Sequence, residues 1–254
     1  MIVADTFSCT GVILVSREFK DKDRMLSILT PDRGLISVCA KGCGKPGSKT
    51  SFAALPFLVC DFVISISHGY YYLKEGNIIE ANKDLMNSFE ALTVASHISD
   101  CLIDAATAAE DFSDTYKLAV YALYSLSHMS EKYLLIYSAF NWRLLSLQGQ
   151  TVIYGRTKDT GNEIEQDKDY IVSIKGGDVF ERATQAKEGK ILSGISVKAL
   201  NFFASCDIKQ LFAVKASEKI IRELAGFTTD YISLQFDKSY EALTVLETLD
   251  QSCQ

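Results

Sequence analysis

Two different spacings of apolar residues divide the sequence near residue 80. In residues 1–80, short runs rich in β-branched residues are separated by turn sequences such as Pro31–Gly34 and His68-Gly69, which predicts strands and tight turns. The predicted strands span residues 7–16, 25–30, 35–40, 55–67 and 69–79. Five short strands in such a length indicate a small β-barrel or sandwich.

From residue 81 onwards, apolar residues recur at helical spacing. Residues 81–147 contain neither Gly nor Pro, and Gly149 marks the end of this stretch. The predicted helices span residues 82–110, 113–128, 130–148, 195–205, 215–224 and 229–249. Residues 150–192 are polar and rich in glycine, with one predicted strand over 170–174, and therefore form an insert between helices. The pattern predicts an α+β chain with a β domain over residues 1–80 and a helical domain over 81–254.

The composition is that of an ordinary globular protein, with 254 residues of which 48% are hydrophobic. We expect a cytoplasmic protein without a membrane span, because no apolar run is long enough and the N-terminus lacks a signal sequence. The seven cysteines are scattered without a CxxC pair, which is typical of free thiols in a reducing compartment. We find no catalytic constellation and therefore expect no enzyme and no cofactor.

The charge is unevenly distributed. Residues 1–80 carry 9 Lys/Arg and 8 Asp/Glu, a balance of +1, whereas residues 81–254 carry 17 and 24, a balance of −7. Lys41, Lys45 and Lys49 stand in a loop of small residues without an acid. Such a loop suits contact with phosphates, although a solvated surface loop fits the same residues. It lacks the GxxxxGK[ST] spacing of nucleotide-hydrolysing proteins.

Two further features bear on this loop. Asp23-Arg24 precedes an apolar strand and is either a surface ion pair or places Arg24 in a groove shared with the three lysines. The run Tyr70–Tyr72 must put at least one ring on the outer face of its strand, because side chains alternate. An outward ring could stack on a nucleobase.

In their order, these features resemble the RecO family of recombination mediators. The matching segments are Gly11–Leu14, Asp23–Leu26, Thr30–Leu35, Ala40–Gly42, Lys45–Ser48, Arg143–Gly149 and Gly194–Ser196. The resemblance covers both predicted domains.

The resemblance implies an N-terminal OB-fold barrel and a function without covalent chemistry. It implies binding of single- and double-stranded DNA, annealing of complementary strands, and loading of RecA at gaps together with RecR and single-stranded-DNA-binding protein. It further implies association with the nucleoid. The residues implied to hold phosphates are Arg24, Arg33, Lys41, Lys45 and Lys49.

The chain departs from the family in one segment. Many members carry four zinc-binding cysteines in the insert, but the corresponding positions are here Thr151, Tyr154, Phe180 and Ala183. None of these is a good zinc ligand. We therefore expect a degenerate, zinc-less finger over residues 150–192 and no bound metal.

Two other function classes remain open. The acidic balance of residues 81–254 fits an adaptor that recruits repair or replication proteins and contacts DNA only incidentally. A nuclease has less support, because the sequence offers no cluster of carboxylates for metal ions.

Overall fold

The computed structural model describes residues 5–106, 112–153, 155–182 and 189–252. The chain forms two compact units, one within residues 1–88 and 99–127 and the other within 89–98 and 128–254. No helix in the described ranges is long and apolar enough to cross a membrane. The domain boundary near residue 80 stays a prediction.

A closed five-stranded barrel forms the N-terminal part of the first unit. Its strands are β1 (Asp5–Phe19), β2 (Asp23–Thr30), β3 (Gly34–Ala40), β4 (Val59–Ser67) and β5 (Tyr70–Glu80). They lie in the order β1-β2-β3-β5-β4, and β4 returns to pair with β1. Only β3 and β5 run parallel within the barrel. This arrangement confirms the predicted OB-like barrel.

The barrel interior follows the alternation of side chains along the strands. Its core contains fully or nearly fully buried residues from all five strands, among them Ile13, Leu26, Ile28, Val38, Phe62, Ile64 and Leu73. Tyr71 packs against this core, and Tyr70 stands exposed on the outside. The prediction that at least one ring of the tyrosine run faces outward is confirmed.

The predicted strand over residues 55–67 is wrong at its start, because β4 begins only at Val59. The preceding residues follow a 3-10 turn, Ser51–Ala54, and pass into a loop. Phe57 has a positive φ of 66°, which extended strands do not adopt. Its backbone N–H donates to the carbonyl oxygen of Ile13 at 2.6 Å, so the loop is attached to β1 without joining the sheet.

The remaining elements are seven helices and three short strands within the described residues. They are α1 (Phe89–Ala105), α2 (Ser113–His128), α3 (Tyr133–Leu147), β6 (Asp169–Val172), β7 (Val179–Glu181), β8 (Lys190–Ser193), α4 (Gly194–Ser205), α5 (Ile208–Leu211), α6 (Glu218–Gln235) and α7 (Ala242–Ser252). The strands form one antiparallel sheet in the order β7-β6-β8. The chain is therefore of the α+β class, as predicted.

Three predicted helices differ from the structure by more than a few residues. The helix predicted over 82–110 begins at Phe89, because residues 83–87 form a 3-10 turn and Ser88 is extended; residues 107–110 lie outside the described residues. The helices predicted over 215–224 and 229–249 are wrong, because α6 runs through Gly226 without a break. Buried neighbours on both sides of Gly226, including Leu224 and Phe227, pack at helical spacing and outweigh the low helix propensity of glycine.

Helix α3 lies at the centre of the second unit. Its side chains are buried on nearly every face. Trp142 is fully buried, and its ring centroid lies 5.0 Å from that of Tyr231 and 5.8 Å from that of Phe227. Aromatic side chains bury a large apolar area, so the predicted core role of Trp142 is confirmed.

A buried histidine also packs against α3. The Nε2 atom of His97 lies 2.8 Å from Oδ1 of Asn141, and the imidazole stacks on Tyr137 with centroids 4.5 Å apart. Burial disfavours the imidazolium and lowers the pKa of His97 to about 4, although the hydrogen bond to Asn141 acts in the opposite direction. His97 is therefore neutral in the folded protein at neutral pH.

The pKa of His97 predicts a specific loss of stability in acid. The unfolded chain takes up a proton near pH 6.5, whereas the folded protein does so only near pH 4. The stabilisation is complete above pH 6.5 and is lost as the pH falls from 6.5 towards 4. Between pH 7 and pH 5 the loss should be about 2 kcal/mol in the free energy of unfolding.

Urea titrations of a His97→Gln variant at both pH values check this expectation. The variant should be less stable at pH 7, but its stability should depend less on pH by the amount given above. His128→Gln, which changes an exposed histidine, should keep the pH dependence of the wild type. Equal pH dependence in wild type and His97→Gln would contradict the assignment.

Candidate nucleic-acid interface

A cleft crosses the outer face of the barrel over β2, β3 and β5. It has a volume of about 790 Å³, which is enough for small-ligand groups of the size of a nucleobase. The β1–β2 turn and the β4–β5 turn flank it. Its lining consists of Phe19, Lys20, Asp23, Met25, Leu35, Ile36, Ser37, Cys39, Lys41, Gly69, Tyr70, Tyr71 and Tyr72.

Aromatic rings from two strands line this cleft. Tyr70 is 69% exposed and Phe19 is 39% exposed, so both rings offer open surface. The ring of Tyr72, by contrast, is covered by a lysine side chain: the Nζ atom of Lys41 lies 4.2 Å from its centroid. Such a cation–π contact places an ammonium group beside an aromatic surface, and the cleft therefore combines stacking surfaces with positive charge.

The floor of the cleft is uncharged at the position of Cys39. This thiol lies on β3 and is largely buried. Burial raises the pKa of Cys39, with Asp23 adding to the effect and Lys41 opposing it. The thiol is therefore protonated at neutral pH. All six cysteines among the described residues are free, as predicted.

The basic loop, residues 41–50, starts where β3 ends. Of its three lysines only Lys41 lines the cleft; Lys45 and Lys49 are exposed outside it. The loop is attached to the β1–β2 turn by its backbone: the N–H of Gly42 donates to Oδ1 of Asp23 at 2.7 Å, and the N–H of Gly44 donates to the carbonyl oxygen of Lys22 at 3.0 Å. The loop is thus held close to the cleft.

The guanidinium of Arg24 is engaged within the protein. Its Nε donates to Oγ of Ser16 and its Nη2 to the carbonyl oxygen of Ser16, both at 2.8 Å. A third nitrogen lies 3.7 Å from the carboxylate of Glu18, and the Arg24 side chain is only 23% exposed. The structure therefore does not place the guanidinium of Arg24 in one groove with the lysines of the loop, which is one of the two predicted roles.

Arg33 lies at the other end of the barrel. It belongs to the β2–β3 turn, and its guanidinium stacks over the ring of Phe7 with Cζ 4.1 Å from the centroid. Arg33 and Lys41 flank opposite ends of β3, a strand of 7 residues, which separates them by roughly 25 Å. The five predicted phosphate contacts therefore do not form one cluster.

Sequence reasoning missed Lys20 and Phe19, which both line the cleft at the β1–β2 turn. Residues 17–50 carry 8 Lys/Arg and 4 Asp/Glu, so the local excess of positive charge extends beyond the three lysines of the loop. In the sequence, Asp21 between Lys20 and Lys22 makes the local charge look balanced. The signal for a role of Lys20 is its position in the β1–β2 turn of an OB-like barrel.

The insert between α3 and α4 offers no set of metal ligands in the part that the structure describes. Thr151 and Phe180 present a hydroxyl and an apolar ring, which do not fit a zinc ion, while Tyr154 and Ala183 lie outside the described residues. No group of three or more His, Cys, Asp or Glu side chains that could hold a metal occurs among the described residues.

Several apolar side chains of this insert are withdrawn from solvent. They come from the small sheet and from the loops before it, and they are all buried: Ile153, Ile164, Tyr170, Val172, Val179 and Leu192. The hydroxyl of Tyr170 accepts a hydrogen bond from the N–H of Glu165 at 2.8 Å. The insert therefore buries apolar surface, which stabilises it without a metal ligand set.

Comparison with protein families gives matches to both parts of the chain. Residues 1–82 match the family described as "Recombination protein O N terminal", and residues 86–243 match "Recombination protein O C terminal". The two matches together span nearly the whole sequence.

Individual relatives agree with these matches. The chain is 27% identical over 245 residues to the DNA repair protein RecO of Acetivibrio thermocellus, covering 95% of this chain and 96% of the relative. It is 24% identical over 241 residues to the RecO protein of Clostridium perfringens, covering 95% and 97%. With two family matches along its length and relatives aligned almost from end to end, the chain belongs to the RecO family.

Proposed function

We propose that this protein is a recombination mediator that binds single- and double-stranded DNA, anneals complementary strands and helps to load RecA at gaps during recombinational repair. It acts with RecR and single-stranded-DNA-binding protein, in the cytoplasm at the nucleoid. Its family consists of recombination and repair proteins and not of catalytic enzymes.

One observation carries the proposal, namely the cleft on the outer face of the barrel. OB-folds bind oligonucleotides on the face of their second and third strands, between the β1–β2 and β4–β5 turns. The cleft has this position, and it contains open aromatic rings beside Lys20 and Lys41. Aromatic rings stack on unpaired bases and ammonium groups neutralise phosphates, so the lining has the two kinds of group that single-stranded DNA requires.

The lysines outside the cleft extend this surface for strand annealing. Lys45 and Lys49 are exposed on the basic loop, where they can contact the backbone of a second strand or of a duplex. Two complementary strands repel each other through their phosphates, and cations held between them lower this repulsion. Annealing by this protein is therefore an electrostatic and positional effect without covalent steps.

Charge reversal in the loop provides the first test. A Lys41→Glu, Lys45→Glu, Lys49→Glu variant should bind a single-stranded oligonucleotide at least about tenfold more weakly at low salt. The slope of log affinity against log salt should fall by about one for each phosphate contact that is lost. Fluorescence anisotropy titrations at several salt concentrations measure both quantities.

A matched variant controls for the change in net charge. Lys209, Lys215 and Lys219 are exposed lysines of the second unit, and their replacement by Glu should leave the affinity within about twofold. If the loop variant retains the wild-type affinity and salt slope, the loop is not the contact.

The rings of the cleft should favour unpaired over paired strands. Tyr70→Ala with Tyr72→Ala should weaken binding of a single-stranded oligonucleotide by about tenfold, because base stacking contributes roughly 1–3 kcal/mol per base. Binding of a duplex of equal length should change by less, because its bases are already stacked on each other. Tyr124→Ala, which removes an exposed ring from α2, serves as the control. Equal losses for both DNA forms would contradict stacking in the cleft.

An adaptor function is the second candidate. It is favoured by the negative balance of residues 81–254 and by exposed apolar side chains on α4, such as Ile195 and Phe202. An adaptor would bind DNA only in the presence of a partner. Titration of the purified protein alone with single-stranded DNA, and an annealing assay with and without coating protein, separate the two candidates.

We further propose that the insert over residues 150–192 is a zinc-finger-like element without zinc, held by its buried apolar side chains. Excess EDTA should leave the thermal melting temperature unchanged, because removal of a structural zinc ion would destabilise the fold strongly. Elemental analysis of protein purified without a histidine tag should find well below one zinc per chain. A stoichiometric zinc content would refute this part of the proposal.

A further inference from the structure

We infer that Asp23 and Arg24 are positioning residues, which hold the two ends of the segment 42–53 in place so that its lysines stand beside the cleft. This inference rests on the proposed DNA-binding function. It assigns to Arg24 a role through Ser16 in place of the direct phosphate contact that the resemblance to the RecO family implies.

The first end of the segment is held by Asp23. The carboxylate of Asp23 accepts the N–H of Gly42 at 2.7 Å, immediately after Lys41. Gly42 has a φ of +63°, a conformation in which other residues are strained, so the chain turns sharply at the point where it is held. The hydrogen bond from Gly44 to the carbonyl oxygen of Lys22 adds a second attachment to the same turn.

The far end of the segment is held through Arg24. Its guanidinium donates two hydrogen bonds to Ser16 of β1, at Oγ and at the carbonyl oxygen. The Oγ of Ser16 in turn donates to the carbonyl oxygen of Ala53 at 2.7 Å, in the 3-10 turn that ends the segment. Asp23 and Arg24 are neighbours on one strand and point to opposite faces of it. Asp23 can therefore hold the segment at Gly42 while Arg24 holds it, through Ser16, at Ala53.

The position of Asp23 gives independent support. Asp23 lines the cleft together with Lys20 and Lys41, and a carboxylate at this place repels the phosphates that the lysines attract. A negative charge in a DNA-binding cleft lowers the affinity for DNA. Its presence is explained if the same carboxylate also has a structural role that favours binding. The hydrogen bond to Gly42 supplies such a role, because it orders the loop before DNA arrives and so reduces the entropy that binding must overcome.

Two substitutions of Asp23 separate the effect of its hydrogen bond to Gly42 from the effect of its negative charge. Asp23→Asn keeps an oxygen that can accept the N–H of Gly42 and removes the negative charge, whereas Asp23→Ala removes both. We expect Asp23→Asn to bind a single-stranded oligonucleotide as tightly as the wild type or tighter, and Asp23→Ala to bind about tenfold more weakly, as expected for the loss of a charge-assisted hydrogen bond. Equal tightening by both variants would mean that Asp23 acts only as a repulsive charge, and would overturn the inference.

Arg24→Lys makes the corresponding distinction for Arg24. It keeps the positive charge but cannot reproduce the two hydrogen bonds to Ser16. We expect Arg24→Lys and Arg24→Gln to weaken binding to a similar extent with little change in the salt slope. A direct phosphate contact would instead leave Arg24→Lys close to wild type and lower the slope by about one in Arg24→Gln, and this result would overturn the role assigned to Arg24.

A measurement without DNA keeps this inference separable from the proposed function. Trypsin cleaves after Lys41 and Lys49 when the loop opens, but not after Lys45, because Pro46 follows it. Asp23→Ala should therefore be cut after Lys41 and Lys49 several times faster than wild type, and Asp23→Asn should not. Circular dichroism melting checks that each variant is folded. If Asp23→Ala accelerates cleavage while the triple lysine variant still binds DNA normally, Asp23 does position the loop, but the loop does not contact DNA. Unchanged cleavage in Asp23→Ala would overturn positioning.

Discussion

The closure of the barrel between β3 and β5 is the constraint on which the cleft depends. These parallel strands are joined by only two residue pairs, Val38 with Tyr71 and Cys39 with Tyr72. The pairing turns Tyr71 towards the core and leaves Tyr70 and Tyr72 outside, and it brings Lys41 next to Tyr72. A shift of one residue would exchange the two faces of β5 and turn Tyr70 and Tyr72, which line the cleft, towards the core.

The acidity of the whole chain is compatible with the proposed DNA binding by one face of the barrel. Electrostatic interactions between exposed charges fall off over about 8–10 Å at physiological salt, so a polyanion responds to the charges near its path. Residues 17–50, which include the lysines at this end of the barrel, carry 8 Lys/Arg and 4 Asp/Glu, whereas the chain as a whole carries 26 and 32. The net charge of −6 therefore does not describe the charge within one screening length of the cleft.

Much of the fold could be predicted because local sequence determined it. Alternating apolar residues and the turns at Pro31–Gly34 and His68-Gly69 identified the strands of the barrel to within a few residues, except near Phe57, where a positive φ ends the extended chain. The continuity of α6 through Gly226 could not be predicted, because it depends on distant packing partners. For the site, the loop was recognised from its lysines, but hydrogen-bond partners of a guanidinium such as that of Arg24 are fixed only by the three-dimensional structure.

The cation–π contact between Lys41 and Tyr72 has a consequence for ligand selectivity. A flat molecule that covers Tyr72 has to displace the ammonium group that already lies over the ring. An uncharged aromatic compound offers the displaced lysine no new partner and gains little from the exchange. A nucleotide within a strand would bring its own anion, so the lysine would gain a phosphate as its new partner. In the proposed function, the same contact would therefore discourage uncharged aromatic molecules and admit nucleotides.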